Sequence, residues 1–183
     1  MEVQNPYVCV EISESQFQTI KDSLKKELVK LGFEDIQELP NPHISIAYIL
    51  GKKNVDQLEQ LADEISEGSF KMAVNGIKAV DAPYYKGTII SLSLIHTDDF
   101  LYSQEFVKDF ITDDDVLIKE YFPGGFQAHL SLFLLKGLPQ DLIDVLPEYL
   151  EIAVGNVKAD IQGESFSIHN GDREKIIGRK FLG

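Results

Sequence analysis

The chain has 183 residues, 44% of them hydrophobic, enough to bury one compact core or to build two small lobes that share one. Its 30 acidic and 17 basic residues leave a net charge of −13, and Arg173 and Arg179 are its only arginines; such a surface repels a long phosphate backbone and argues against duplex nucleic acid. Cys9, the single cysteine, excludes an intramolecular disulfide and a cysteine-rich metal site. The first residues lack the basic and apolar regions of a leader, and no apolar run reaches membrane-spanning length. A soluble, cytoplasmic, monomeric chain is therefore expected.

In chain order, Val8 to Glu11 lies in an apolar, strand-like run in which Cys9 reads as a small buried hydrophobe. A helix is predicted from about Glu14 to Leu31, where Phe17, Ile20, Leu24, Leu28 and Leu31 recur at three- and four-residue steps before Gly32. Next comes an alternating strand, Asn41-Pro-His43-Ile-Ser45-Ile-Ala47, ending near Leu50. On a strand, residues two apart share a face, so His43 and Ser45 point one way while Ile44, Ile46 and Tyr48 point the other. Asn54 is placed to cap a second helix with Val55, Leu58, Leu61, Ala62 and Ile65 on one stripe and Gly68 past its end. A strand from about Phe70 to Val80 closes the first half.

Gly87 to Ile95 is rich in β-branched residues and reads as a strand. Asp98 or Asp99 is expected to cap a third helix carrying Phe100, Phe106, Val107 and Phe110, ended by a solvated Asp113-Asp114-Asp115. The segment Gln127-Ala-His129-Leu-Ser131-Leu-Phe133 then repeats the earlier motif, with His129 and Ser131 against Leu130, Leu132 and Leu134. Gly124-Gly125 just before it reads as a mobile loop at the edge of a groove. A helix from about Pro139 should break or kink at Pro147. Strands near 157–168 and 175–182 follow, joined through His169-Asn170-Gly171-Asp172, where Asn-Gly signals a hairpin turn.

The two halves repeat with an offset of 86 positions between His43 and His129, and Gly76 and Gly163 fit that offset to within one position. The expected fold is α+β: bilobal, duplicated about a pseudo-twofold axis, with antiparallel sheets lining a central cleft and helices outside. One domain spans 1–183, with lobes built from about 1–86 and 87–183. Both histidines would face the groove between the lobes.

Two imidazoles converging on one groove supply a general acid and a general base, because histidine titrates near neutrality. The hydroxyls of Ser45 and Ser131 would donate to phosphate oxygens, and in-line displacement at phosphorus suits one histidine on each side. Neither serine sits in a Gly-x-Ser-x-Gly elbow, and no metal-ligand spacing surrounds either histidine, so no metal or cofactor is expected. Asn41 and Gln127, two residues before their histidines, are expected to reach the groove, where they line it or orient substrate or ring. Tyr84 and Tyr85 offer stacking surfaces for a base, and Lys86 offers charge for a phosphate; packing explains the tyrosines equally well. His96 and His169, at a corner and in a turn, are read as structural.

Paired His-x-Ser strands fewer than a hundred residues apart resemble the 2H phosphoesterase superfamily, and His43-Ile-Ser-Ile-Ala-Tyr48 is most similar to its U6 RNA-processing branch. The resemblance implies a bilobal fold with a central cleft, metal-independent chemistry, catalytic His43 and His129, and phosphate-binding Ser45 and Ser131. It implies a small nucleotide or short oligonucleotide as substrate: a 2′,3′-cyclic phosphate, a 2′-5′ linkage, a short RNA 3′ end or a cyclic oligonucleotide. A non-catalytic nucleotide-binding module using the same cleft is the alternative. Acidity and scarce arginine set this chain apart from that pattern.

Overall fold

The computed structural model describes residues 1–65, 70–112, 115–117, 127–155, 157–171 and 175–182. Gly68, Asp113-Asp114, Gly124-Gly125 and Asp172, singled out above, lie outside the described residues. The elements in order are β1 (Glu2–Gln4), β2 (Tyr7–Ile12), α1 (Gln18–Lys30), β3 (Ile36–Glu38), β4 (His43–Ile49), β5 (Lys52–Asn54), α2 (Val55–Glu64) and β6 (Lys71–Ala82). They continue with β7 (Gly87–Leu94), α3 (Asp98–Ile111), β8 (Val116–Leu117), β9 (His129–Leu135), α4 (Gln140–Val154), β10 (Asp160–His169) and β11 (Ile176–Phe181). The protein is α+β with antiparallel pairing throughout the described strands.

Six strands form a hydrogen-bonded circuit in the order β9-β7-β6-β10-β2-β4, closed by a β4–β9 bridge at Ile44 and Leu130. A pseudo-twofold relation is visible in the register. Lys71 pairs with Gln162 and Ala73 with Asp160 about a central Met72–Ile161 pair, and the same exchange of halves occurs about Ile44–Leu130. Each half of the ring takes strands from both halves of the sequence, because the short Pro83–Tyr85 turn folds β6 back onto β7, and β10 lies against β2. The two halves of the sequence thus exchange a strand within the sheet. Even the short strands obey the symmetry: β3 precedes the first motif and pairs with β9, whereas β8 precedes the second and pairs with β4.

Alternation sorts the side chains. Val8, Val10, Ile44, Ile46, Leu92, Leu130, Phe166 and Ile168 are buried in the core, with α2 against β10 and β11, α3 against β4, and α4 against β6. The opposite faces of these strands carry serines, histidines and Glu11, which line the cleft side.

Several local expectations change. Residues Glu14–Gln16 form a separate 3₁₀ turn, so α1 starts at Gln18. The N-cap of α3 is Thr97, whose Oγ1 accepts from Phe100 N at 3.4 Å, and Asp98 and Asp99 occupy the first turn, where the helix dipole favours them. Asn54 caps α2 as expected, accepting from Asp56 N at 3.0 Å. Helix α4 contains Pro147 without ending there. His169 is the last residue of β10 rather than part of the turn, and Asn170 Oδ1 holds the turn by accepting from Lys175 N at 2.9 Å.

Candidate active site

Strands β4 and β9 both open on their histidine and cross at Ile44–Leu130, where both side chains are fully buried. Reading that register one residue either way sets His43 across from Ser131 and His129 across from Ser45, all on the face opposite the core. The two histidines are then diagonal neighbours across the bridge. Both imidazoles are half-buried, Ser131 likewise, and Ser45 is 5% exposed.

The rings are held in the same way. His43 Nδ1 lies 2.8 Å from the Asn41 carbonyl oxygen, and His129 Nδ1 lies 2.9 Å from the Gln127 carbonyl oxygen. A carbonyl only accepts, so each Nδ1 carries a proton and each Nε2 is the nitrogen that takes up or releases one. Asn41 makes this contact from a left-handed backbone, φ +54°, a conformation asparagine tolerates. Asn41 and Gln127 thus orient the rings, but through the backbone and not from a strand face. Neither lies in a strand, and their peptide oxygens, not side chains, serve the histidines. The Gln127 side chain is engaged elsewhere, its Oε1 accepting from Lys78 Nζ at 2.7 Å.

A duplicated bulge shapes both motifs. Val8 pairs with Ala47 but Cys9 with Ser45, which leaves Ile46 extra; Ile90 pairs with Phe133 but Ser91 with Ser131, which leaves Leu132 extra. The freed carbonyls are satisfied from outside the ladder, Ile46 O by Gln104 Nε2 at 3.0 Å and Leu132 O by Leu39 N at 2.9 Å. One inserted residue reverses the parity of everything after it. Ala47 and Ile49 therefore enter the core, and Tyr48 turns to the cleft face, where its hydroxyl shares a 3.3 Å hydrogen bond with Ser45 Oγ. The placement of Tyr48 with Ile44 and Ile46 is corrected by this bulge. At the matching point of β9, Leu134 takes the place of Tyr48 and faces Ile89.

The walls differ. On the second side, His129 pairs with Ser93, and Ser131 with Ser91, which pairs with Lys78. On the first side, His43 pairs with Glu11, and Ser45 with Cys9. Glu11 accepts from Arg179 Nη2, whose contacts to the two carboxylate oxygens are 2.9 and 2.7 Å, and from Ser165 Oγ at 2.9 Å; His169 Nε2 lies 3.3 Å away. Partial burial opposes ionisation of Glu11, but the groups at His169, Arg179 and Ser165 outweigh it and hold the carboxyl at about 2. Tyr7 packs in the middle, its ring 5.0 Å from His169, 5.7 Å from His43 and 6.0 Å from Tyr48. Glu11, Tyr7, Lys78 and Arg179 were not anticipated as site residues. Their only sequence signal is a polar residue at an alternating position of an otherwise apolar strand.

Because the folded-state value of Glu11 lies below its ordinary 4.5, the unfolded chain takes up this proton first as pH falls. The stability it provides is complete above about 4.5 and disappears on descent through about 2. In Arg179→Gln, acid unfolding should begin at higher pH than in the parent, and in Glu11→Gln the slope between those values should flatten. Circular dichroism across an acid titration measures both; superimposable curves would mean the network contributes nothing.

The remaining predicted residues lie elsewhere. Tyr84, Tyr85 and Lys86 form the β6–β7 turn, beyond the Ala82–Gly87 pair. The hairpin runs from there past Thr88–Leu135 to Ser93–His129, so the turn lies about six strand residues, roughly 20 Å, from His129. Tyr84 is 90% exposed and packs edge-on against Tyr85. His96 is structural, but it acts on the motif: its Nε2 accepts from Ala128 N at 3.0 Å, and burial lowers its pKa, which favours the neutral, accepting form. Among the described residues no cluster of three or more His, Cys, Asp or Glu is placed to hold a metal, and no helix is long and apolar enough to cross a membrane.

No protein-family model and no curated protein sequence matches the chain. Its fold is shared with solved structures of Usb1, LigT and a phosphoesterase. Usb1 of Kluyveromyces marxianus aligns with a TM-score of 0.61 at 10% identity, over 98% of both chains. LigT of E. coli in its apo form aligns at 0.57 and 12% identity, over 100% of this chain and 99% of that one. TT0787 of Thermus thermophilus aligns at 0.57 and 12%, over 98% of both. LigT is also known complexed with 3′-AMP, and Usb1 with uridine monophosphate.

Proposed function

We propose that this chain is a metal-independent phosphodiesterase acting on a small nucleotide-type phosphodiester. The observation that supports it best is the Ile44–Leu130 bridge with its mirrored ring-to-carbonyl bonds, which favours the same tautomer in two histidines that flank one crossing. One histidine takes the proton of the attacking hydroxyl or water while the other, protonated, gives a proton to the leaving oxygen. Ser45 and Ser131 donate to the non-bridging oxygens, where charge accumulates. Each imidazole keeps its Nδ1–H on a peptide oxygen throughout, so the ring does not turn between the two roles. Lys78, on the β6 face behind Ser91, offsets part of the phosphate charge.

The substrates that fit this chemistry are a 2′,3′-cyclic phosphate, a 2′-5′ linkage, a short RNA 3′ end or a cyclic oligonucleotide. The nucleotides seen in Usb1 and LigT support a ligand of this size. Duplex nucleic acid is disfavoured by the net charge of −13. We read the chain as one domain, monomeric and cytoplasmic.

Incubation with a panel of these four substrate types, in the presence of a chelator, tests the reading. Product is expected from at least one, at a rate the chelator does not change. Saturable nucleotide binding without any product would select the non-catalytic binding module instead.

A further inference from the structure

The first wall of the cleft continues past the histidine in an unbroken row. His43 pairs with Glu11, Glu11 with Ser165, and Ser165 with Phe181, so four adjacent strands each place one residue on the same line. A parallel row runs Ser45, Cys9, Ser167, Arg179. Side-chain contacts show that both rows share the cleft face: Ser165 and Arg179 donate to Glu11, Arg179 Nε donates to Ser167 Oγ at 3.3 Å, and the guanidinium lies 5.8 Å from the Phe181 ring centroid. Phe181 is 74% exposed, a large aromatic ring at the end of a strip that is otherwise polar.

The opposite wall has no equivalent among the described residues. Register makes β6 the counterpart of β10, but only β10 carries a further strand, β11, on its outer side. The row from His129 ends at Ser93 and Gly76, with no aromatic residue. The duplicated fold thus has a one-sided addition, and Phe181 and Arg179 are its contribution to the cleft.

We propose that this strip is a nucleobase subsite, with Phe181 as the stacking platform, and that it fixes which side of the pseudo-symmetric cleft receives the nucleoside of the substrate. Phe181 lies three strand spacings from His43, roughly 14 Å between backbones, a distance that ribose and base bridge from a phosphate held at the histidines. Arg179 has two effects here. It neutralises Glu11, which would otherwise repel the phosphate from beside His43, and it holds a planar cation next to the ring on which the base stacks. Ser165 and Ser167 lie buried beneath this surface and hold Glu11 and Arg179 in place. This rests on the phosphodiester reading above and adds to it a direction of binding.

The chain contains no tryptophan, so Phe181→Trp places a single indole at the platform, excited selectively beyond the absorption of the seven tyrosines. Titration of that variant with AMP or UMP should quench its emission saturably, while ribose 5-phosphate should not. In Phe181→Ala, KM for a nucleoside-bearing substrate should rise about tenfold with kcat little changed, the size expected for one lost base–aromatic stack. Because the ring is exposed, thermal unfolding of both variants should match the parent. The subsite is refuted if AMP and UMP bind by calorimetry, or are formed as products, while the tryptophan does not respond and KM in Phe181→Ala is unchanged. Failure of every nucleotide to bind the parent protein would instead overturn the phosphodiester reading, and the subsite with it.

Discussion

Replacing either His43 or His129 with alanine is expected to reduce kcat on the preferred phosphodiester by a factor on the order of 10²–10⁴, the usual contribution of one positioned acid or base. The double variant should fall little further, because acid and base act in one step and neither is useful without the other. Both rings are half-exposed at strand starts, and each holds a neighbouring peptide oxygen through its Nδ1. Urea unfolding midpoints should therefore stay close to the parent value. The parent's pH–rate profile should be bell-shaped, with one limb for each histidine. Retention of a tenth of the activity by either variant, or a flat profile across neutral pH, would sink the acid–base pair.

The part of this site that was legible in the sequence is the part governed by alternation alone. His43 and Ser45 face away from Ile44, and His129 and Ser131 away from Leu130, as a two-residue period requires. The pattern fails at Tyr48, beyond the bulge at Ile46. Nothing local announces that bulge; the carbonyl it frees is satisfied by Gln104, which lies on a helix 58 positions away. Asn41 and Gln127 are marked by position, but pattern assigns them the wrong atoms, since the strand starts at the histidine and the backbone turns before it. Glu11 looks like a lone charge in an apolar strand. Its role depends on Ser165, His169 and Arg179, which meet it only when β10 and β11 close over β2. Tyr84 and Tyr85 have suitable chemistry, but hairpin geometry carries them to the opposite end. Pairing across the ring is long-range information, and short-range pattern does not contain it.

Gly76 and Gly163 show the same limit and give a sharp test. Spacing from the two histidines makes them look equivalent, yet register places Gly76 opposite Ser93 and Gly163 opposite Ile12, one on each side of its own irregularity in the ladder. A Cβ on Gly163 would lie 2.4 Å from Val10 Cγ1 and 3.3 Å from Phe70 Cβ, and both neighbours are buried in the core. Neither can move without disturbing β2 or the packing of Phe70 against Phe166, whose rings are 5.7 Å apart. Gly163→Ala should therefore destabilise the fold by about 1–3 kcal/mol, the range for overpacking a filled core. A Cβ on Gly76 would meet Glu151 Oε1 at 2.6 Å, the far end of a flexible side chain. Glu151 can swing away, giving up its 2.7 Å bond from Ile77 N, which would cost about 1 kcal/mol or less if water replaces it. Urea unfolding of the two variants should thus separate them, with Gly163→Ala the weaker fold. Equal midpoints would mean that β10 relaxes at Gly163 as readily as a surface side chain moves, and that the ring is looser there than its packing implies.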